Sequence, residues 1–253
     1  MKTLENKTVF ITGGLSGIGK ASAVAAAREG ANVVVVDIKS INYDSAMAEI
    51  TAENEKSIFL ECDVTQSDQI AAVINTTIEK FGKLDVALNN AGIGGGGDRI
   101  ADTTEDEWNS VIHLNLTSVF NCMRYDLKQM SSQKNGVIIN MSSILGKVGY
   151  VNSGGYVASK HGIIGLTQTA ALEYAGEGIR VNAICPGFIE TPLLTKGGIT
   201  DNEKMKRDIM ELHALKRFGK PEEVAKAFIF LASADSSFIT GTALEIDGGF
   251  LAQ

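Results

Sequence analysis

The chain has 253 residues, of which 44% are hydrophobic, and its formal net charge at neutral pH is −7. This length allows one domain with a large core, and the acidic balance excludes the basic surface that binding to nucleic acid or to an anionic membrane requires. The N-terminal segment lacks the apolar stretch of a signal peptide, and no apolar run approaches the ~20 residues of a membrane span.

Short apolar runs alternate with helical patterns along the chain, without a linker or an internal repeat. The runs predicted as strands fall near 8–12, 32–37, 57–61, 84–89, 136–141, 179–184 and 242–246. The patterns predicted as helices fall near 17–29, 42–53, 66–81, 105–132, 154–177 and 221–233. This alternation predicts a single α/β domain over 1–253, a doubly wound, mostly parallel sheet of the Rossmann type with helices on both faces.

The first predicted strand leads through a glycine-rich turn into an alanine-rich helix. Gly13 permits a tight turn, Gly17 lets the backbone approach a pyrophosphate, and Gly19 lets helix and strand pack closely. The helix N-terminus offers unpaired N–H groups and a partial positive charge to phosphates. The pattern G-x-x-x-G-x-G differs from the commoner G-x-G-x-x-G, so a structural turn without a ligand is the alternative. The residues predicted to bind a dinucleotide here are Gly13, Leu15, Ser16, Gly17, Ile18 and Gly19.

The second predicted strand ends in Asp37, eighteen residues after Gly19. A carboxylate at this place would accept hydrogen bonds from an adenosine ribose and, with Ile38, would contact that half of a dinucleotide. The same carboxylate would repel a 2′-phosphate, at a cost on the order of several kcal/mol at ~4 Å. The sequence therefore predicts NAD(H) rather than NADP(H), although Lys39 could tolerate a phosphate.

Tyr156 and Lys160 lie four residues apart at the start of a predicted long helix, so they share one helix face. A free phenol has a pKa of about 10, and a neighbouring ammonium favours the phenolate and lowers that value. Ser143, thirteen residues before the tyrosine, adds a hydroxyl for an oxygen held in front of the phenol, with Ser142 as its neighbouring competitor. The pattern predicts an acid/base group that acts near neutral pH, and a surface Tyr/Lys pair is the alternative.

Taken together, these motifs resemble those of the short-chain dehydrogenase/reductase family, and the resemblance covers essentially the whole chain. The segments that carry it are Thr12-Gly-Gly-Leu-Ser-Gly-Ile-Gly19, Asp63-Val64, Asn89-Asn-Ala-Gly92, Asn115, Ser143, Tyr156-Val-Ala-Ser-Lys160, Pro186-Gly187 and Thr191. The resemblance implies a catalytic set of Asn115, Ser143, Tyr156 and Lys160. It implies Ser143 rather than Ser142 through the thirteen-residue interval, and it implies that Asn115 links Lys160 to bulk water.

The resemblance also implies which residues contact each part of the cofactor. Asp63 would hold the adenine amino group with Val64 against the ring, and Lys160 would hold the nicotinamide ribose. Thr191 would orient the carboxamide. The complete set of implied contacts along the nicotinamide half is Asn89, Ala91, Gly92, Tyr156, Lys160, Pro186, Gly187, Ile189 and Thr191.

The stretch from Pro186 to about Leu215 does not fit the rhythm of strands and helices, and long segments after a strand's carboxyl end are usually functional. We interpret 186–215 as a lid over the substrate. With the 144–153 loop it offers an apolar pocket that suits a hydrophobic ketone or secondary alcohol. The predicted lining is Leu145, Tyr150, Phe188, Leu193 and Leu194. The run Gly94–Gly97 is either a flexible loop or a place where substrate and nicotinamide approach closely.

These observations predict an NAD(H)-dependent oxidoreductase that interconverts a ketone and a secondary alcohol. A 3-oxoacyl-[acyl-carrier-protein] reductase and a hydroxysteroid or sugar dehydrogenase are the alternatives, and a non-catalytic NAD(H)-binding sensor is the alternative from another class. His113 and His213 are not assigned to catalysis, and three scattered cysteines indicate reduced, packed thiols in a cytoplasmic protein without a zinc site. The resemblance further implies a homotetramer formed through the helices at 105–132 and 154–177. It also allows a structural Mg²⁺ at the carboxylate of Gln253.

Overall fold

Strands and helices alternate from one end of the protein to the other, as the sequence pattern predicts. The computed structural model describes residues 2–40, 42–199 and 201–252. Its strands are β1 (Thr8–Thr12), β2 (Asn32–Asp37), β3 (Ile58–Glu61), β4 (Val86–Asn89), β5 (Gly136–Met141), β6 (Ile179–Pro186) and β7 (Ala243–Ile246). Its α-helices are α1 (Gly17–Arg28), α2 (Tyr43–Glu53), α3 (Ser67–Phe81), α4 (Glu105–Ile112), α5 (Ser118–Gln133), α6 (Gly154–Tyr174), α7 (Pro192–Lys196), α8 (Glu203–Glu211) and α9 (Pro221–Ala232).

The seven strands form one parallel sheet in the order β3-β2-β1-β4-β5-β6-β7. The order reverses between β1 and β4, which pair in register from Val9 with Val86 to Ile11 with Leu88. In an open α/β sheet this reversal opens a crevice at the carboxyl ends of the strands, where ligands bind. The topology therefore brings the glycine turn after β1 and the Asn89–Gly92 segment after β4 to the same crevice.

Both faces of the sheet are buried, because strands such as β1 and Val33–Val36 carry apolar side chains in succession. One core cluster joins the first face to α1, α2 and α9. A second cluster joins the opposite face to α3, α5 and α6. The sheet is thereby held rigidly between two helical layers, which fixes the strand ends that form the crevice.

Two segments depart from the simple pattern. The helix predicted over 105–132 is divided by a π-helical turn at His113–Thr117, which separates α4 from α5. After β6 the chain forms the short helices α7 and α8, which pack through a small separate cluster of Leu194, Ile209 and Phe218. Within the described ranges, no helix combines the length and the apolar character that crossing a membrane demands.

Candidate active site

The glycine turn after β1 has the shape of a phosphate cradle. Gly13 has a φ of +66°, which favours glycine, and a Cβ atom added to Gly19 would lie 2.1 Å from the Gly13 carbonyl oxygen. Ser16 is exposed at the N-cap of α1, and its side chain makes no capping hydrogen bond. The first N–H groups of the helix therefore face the crevice with their partial positive charge, and the turn fits a pyrophosphate.

Asp37 stands beside this turn at the end of β2. Its carboxylate accepts hydrogen bonds from the Leu15 N–H at 3.1 Å and from the Ile38 N–H at 2.9 Å. Burial raises the pKa of the Asp37 carboxyl, and these two hydrogen bonds partly oppose the shift. Lys39 is the cation that could tolerate a 2′-phosphate. Its ammonium lies 5.0 Å from the centre of the Tyr43 ring, in a cation–π contact.

Thr12 and Asn90 join the two strand ends on either side of the crevice. The Thr12 hydroxyl oxygen accepts from the Asn90 N–H at 3.0 Å and from the Ala91 N–H at 3.1 Å. In return the Asn90 amide donates to the carbonyl oxygens of Thr12 at 3.0 Å and Gly13 at 3.2 Å. Sequence reasoning did not single out Asn90, although its place between Asn89 and Ala91 in the quoted motif is a usable signal.

The residues predicted at the two ends of the cofactor lie along the same crevice. Asp63 follows β3, and its Oδ1 accepts from the N–H and the hydroxyl of Thr65, while Val64 is buried beside it. At the other end, a Cβ atom on Gly17 would lie 3.3 Å from the Thr191 methyl carbon. The segment after β6 thus returns to the glycine turn and places Thr191 beside Gly17.

Ser143, Tyr156 and Lys160 converge at the carboxyl end of β5. The Ser143 side chain lies close enough to the Tyr156 hydroxyl to lower the tyrosine pKa, and the Lys160 ammonium lies 5.5 Å from the centre of the Tyr156 ring. Lys160 is buried and donates to the Met141 carbonyl oxygen at 2.8 Å. Ser142 instead donates to the Lys160 carbonyl oxygen at 2.9 Å, which fixes the α6 backbone. The geometry thus favours Ser143 over Ser142 as the partner of the phenol.

The electrostatics of this group differ in one respect from the sequence prediction. Burial raises the pKa of Tyr156, and the neighbouring Ser143 hydroxyl partly offsets that shift. Burial also lowers the pKa of Lys160 to about 8, because the ammonium is removed from water. The expected lowering of the tyrosine pKa by the lysine is not present in this arrangement, since the ammonium is directed at the Met141 carbonyl oxygen. It would require Lys160 to turn toward the phenol.

Asn115 lies in the π-helical turn between α4 and α5, and it is fully buried. Its side chain donates to the Ile93 carbonyl oxygen and accepts from the Ile93 N–H, both at 2.8 Å. A π-turn inside a helix is often found at functional sites. Here the side chain of Asn115 connects the π-turn to the loop after Gly92.

Asn89 is also fully buried, and its side chain turns away from the crevice into the core. It donates to Asn140 at 3.0 Å and to Asp126 at 3.4 Å, and Asn140 donates onward to Thr167 at 2.9 Å. Any contact of Asn89 with a cofactor is therefore left to its main chain. The polar residues Asp126 and Asn140 were missed from the sequence, and the signal for Asn140 is an asparagine within an otherwise apolar strand.

Asp126 gives a prediction about stability and pH. Complete burial raises the pKa of its carboxyl to about 7, against 3.8 for an exposed aspartate. A raised acid pKa contributes stability that is fully present below the unfolded value and is lost as the pH rises through the folded value. We expect the free energy of unfolding of the wild type to fall by a few kcal/mol between about pH 4 and pH 7, relative to Asp126→Asn. Urea unfolding of both proteins at pH 5 and pH 8 measures this difference, and parallel pH dependences would contradict it.

The predicted substrate residues divide into two groups. Tyr150 and Phe188 lie with their ring centres 6.0 Å apart, and Leu193 is 42% exposed beside Gly94, whose added Cβ would lie 3.7 Å from the leucine. Leu145 and Leu194 are buried, and Leu194 packs into the small cluster after β6. The first three side chains are therefore the ones free to contact a ligand.

The remaining candidates have packing roles or lie elsewhere. His113 is exposed on the π-turn, whereas His213 is buried with both ring nitrogens on main-chain atoms. Cys62, Cys122 and Cys185 are free and buried. The predicted Mg²⁺ contact involves Gln253, which lies outside the described residues.

Comparison with known proteins identifies the relatives of this chain. Residues 13–251 match a family model described as Enoyl-(Acyl carrier protein) reductase. The chain is 44% identical to the 3-oxoacyl-[acyl-carrier-protein] reductase FabG of Thermotoga maritima over 98% of its own length and 99% of the relative. The chain belongs to the short-chain dehydrogenase/reductase family. It is also 39% identical to cyclohexanol dehydrogenase of an Acinetobacter species, covering 98% of this chain and 96% of that one.

Solved structures of short-chain dehydrogenases/reductases share the whole fold. Xylitol dehydrogenase with bound NAD⁺ matches with a TM-score of 0.94 at 31% identity, covering 98% of this chain and 100% of that one. ElxO with bound NADP matches with a TM-score of 0.91 at 37% identity, covering 98% and 99%. The predicted family, the single doubly wound domain and the class of oxidoreductase acting on CH–OH groups are thereby confirmed.

Proposed function

We propose that this protein is an NAD(H)-dependent dehydrogenase/reductase of cyclic secondary alcohols and ketones. The observation that carries the proposal is the meeting of Ser143, Tyr156 and Lys160 at the carboxyl end of β5, across the crevice from the glycine turn. The carboxyl end of β5 thus supplies an acid/base hydroxyl, and the carboxyl end of β1 supplies a cradle for a dinucleotide. A nicotinamide bound in that cradle supplies the group that accepts or donates the hydride.

Ser143 and Tyr156 would hold the reacting oxygen between their hydroxyl groups. In the oxidative direction Tyr156 accepts the proton of the alcohol while the hydride leaves the carbinol carbon. In the reductive direction Tyr156 donates a proton to the oxygen of the emerging alcohol, and Ser143 donates a hydrogen bond that stabilises the developing negative charge. The Ser143 hydroxyl oxygen already accepts a hydrogen bond from the Leu145 N–H at 3.1 Å, which orients this serine before substrate binds.

Lys160 and Asn115 would restore the proton on the tyrosine. The Lys160 pKa of about 8 lets the ammonium exchange a proton near neutral pH. Its burial also means that the proton needs a route to water, and the proposal assigns that route to the π-turn around Asn115. Turning the ammonium from Met141 toward the phenol would lower the tyrosine pKa, which is the shift that the reaction requires.

The carboxylate of Asp37 supports a preference for NAD(H) within the family's nicotinamide cofactors. It is directed along the glycine turn by the Leu15 N–H and would accept bonds from a ribose while repelling a 2′-phosphate. We expect Asp37→Ala to reduce the ratio of kcat/KM with NADH to kcat/KM with NADPH by about tenfold or more, since a like-charge repulsion of ~1.4 kcal/mol suffices for that factor. Steady-state rates with both cofactors measure it. An unchanged ratio would place the discrimination elsewhere.

The apolar side chains around the crevice support a cyclic, uncharged substrate. Tyr150, Phe188 and Leu193 offer flat and branched apolar surface to a substrate, and we interpret 186–215 as the lid that carries two of them. Cyclohexanol dehydrogenase among the relatives agrees with this class. The similarity to FabG favours a 3-oxoacyl-[acyl-carrier-protein] reductase as the second candidate, which the acidic net charge disfavours because an acidic carrier requires a basic surface.

A substrate panel separates the candidate functions. Absorbance at the NADH band is followed with cyclohexanone, a linear ketone, an acetoacetyl thioester, a steroid ketone and a keto sugar, each with NADH and with NADPH. The proposal expects turnover of cyclohexanone with NADH. Preference for the thioester with NADPH would favour the carrier-protein reductase, and NADH binding without oxidation would favour a sensor.

The surface of the long helices supports assembly into a homotetramer. Phe120 on α5 is 46% exposed and Leu172 on α6 is 86% exposed, which leaves large apolar side chains available for subunit contacts. The buried, unpaired cysteines agree with a reducing compartment such as the cytoplasm. The structural Mg²⁺ at the C-terminus stays a prediction.

A further inference from the structure

His213 is buried at the foot of the segment that follows β6, where it is only 1% exposed. The Phe188 N–H donates to its Nε2 at 3.3 Å, and its Nδ1 lies 2.9 Å from the Ile209 carbonyl oxygen. Because an amide N–H only donates and a carbonyl oxygen only accepts, the ring carries its single proton on Nδ1. The neutral His213 imidazole thus connects the Phe188 backbone, two residues after β6, to Ile209 in the last turn of α8.

The surroundings of His213 hold the ring in this one orientation. The ring centres of Phe188 and Phe218 lie 5.8 Å and 6.5 Å away, edge-on, and that of Phe250 lies 5.4 Å away. A Cβ atom on Gly187 would lie 3.1 Å from Nε2, so a side chain there would press on the imidazole. The space taken by the histidine and by the Asp247 backbone explains the glycine after Pro186.

The segment held by this histidine packs partly on itself and, through Ile189, on the first main core. Its small cluster of Leu194, Ile209 and Phe218 is separate from the two main cores. The position of this cluster over the crevice therefore also depends on hydrogen bonds where the segment leaves β6. One of these ties is the His213 bond to the Phe188 backbone, and the Phe188 ring lies against Tyr150, the other aromatic side chain of the proposed substrate pocket.

We propose that His213 is a positioning residue for the substrate pocket: by accepting the Phe188 N–H, it fixes the apolar wall that Phe188 and Tyr150 present to a cyclic ketone. This inference rests on the proposed function, because that function makes Phe188 a substrate contact. In this role His213 contacts neither the Tyr156 hydroxyl nor the glycine turn that would hold the cofactor. Its loss should therefore weaken substrate binding while chemistry and cofactor binding continue.

Two substitutions of similar size separate the two bonds of the imidazole. Glutamine at 213 reaches the place of Nε2 and can accept the Phe188 N–H, whereas asparagine reaches only the place of Nδ1 and can donate to Ile209. We expect His213→Asn to raise the KM for cyclohexanone about fivefold, the effect of losing one hydrogen bond of ordinary strength. His213→Gln should keep a KM near that of the wild type. In both variants kcat and the Kd for NADH should be nearly unchanged.

Phe218→Leu is the matched control, because it removes a ring that packs on His213 and leaves both hydrogen bonds intact. We expect it to leave the KM nearly unchanged. An equal KM in His213→Asn and His213→Gln would overturn the proposal, as would a rise in Phe218→Leu as large as that in His213→Asn. Loss of NADH affinity in parallel with the rise in KM would also overturn it.

Amide hydrogen exchange of the Phe188 N–H tests the tie without any turnover. We expect exchange to be faster in His213→Asn than in the wild type and in His213→Gln, by about fivefold for one lost hydrogen bond. The same exchange rate in all three proteins would contradict the hydrogen bond from the Phe188 N–H to His213. If the wild type reduces no ketone while the exchange rates follow the expected order, the proposed function fails and the tie between His213 and Phe188 stands.

Discussion

Tyr156→Phe should lower kcat for ketone reduction by about a thousandfold or more, because it removes the hydroxyl that exchanges a proton with the substrate oxygen. The ring itself is kept, so its packing on α6 and the cation–π contact with Lys160 at 5.5 Å should persist. The measurement is the steady-state oxidation of NADH with cyclohexanone, carried out with both proteins at saturating substrate. A loss of this size is the largest effect that we expect from a single-atom deletion in this protein.

Cofactor binding is the control for that substitution. The glycine turn and Asp37 lie on the other side of the crevice from the phenol, so the Kd for NADH should be nearly unchanged in Tyr156→Phe. Fluorescence titration with NADH measures it. If Tyr156→Phe retained substantial turnover, the tyrosine would lose its assigned role. A loss of turnover that merely followed a loss of NADH binding would not support that role either.

Ser143→Ala should lower kcat by about a hundredfold, the effect of removing one hydrogen-bond donor from a developing negative charge. Ser142→Ala provides the matched control one residue away. The Ser142 hydroxyl donates to the Lys160 carbonyl oxygen, so its loss should reduce stability by about 1 kcal/mol and change kcat little. The same NADH assay and a thermal melt of each variant compare the two. Equal losses of kcat would remove the reason for choosing Ser143.

The fold was predictable because its signals are local and repeated. Strands such as β2 (Asn32–Asp37) are apolar, β-branched runs, and each of the first five strands is followed by a helical pattern. The structure differs from the sequence prediction where contacts between distant residues determine the local backbone. The division of the 105–132 helix depends on the side chain of Asn115 reaching Ile93, which is far away in sequence. The hydrophobic periodicity of the sequence does not indicate such a contact.

The candidate site was predictable in its residue types but only partly in its contacts. Ser143 and Tyr156 are brought together as their spacing implied, and Thr191 returns to the glycine turn. The direction of the tyrosine pKa was not predictable, because helical spacing places Lys160 near the ring without telling that its ammonium bonds to the carbonyl of Met141. The spacing in the sequence indicates that two side chains are close, whereas their burial and hydrogen bonds determine their charge states.

The buried network under the site shows the same limit. Asp126 lies on an amphipathic helix, where an isolated aspartate is ordinarily read as a solvated residue. Only the packing of α5 on the sheet reveals that the carboxyl is fully buried and within 3.4 Å of Asn89. Polar residues at buried positions therefore need the three-dimensional structure to be recognised.

A crystal structure of the protein with NAD⁺ and cyclohexanol tests the central claim most directly. The distances to measure join the alcohol oxygen to the hydroxyl oxygens of Ser143 and Tyr156. We predict that both lie at about 2.6–3.2 Å, with the carbinol carbon facing the nicotinamide ring. An alcohol oxygen bound out of reach of Tyr156, with the nicotinamide on the far side of the crevice, would contradict the assignment of this tyrosine as the acid/base group.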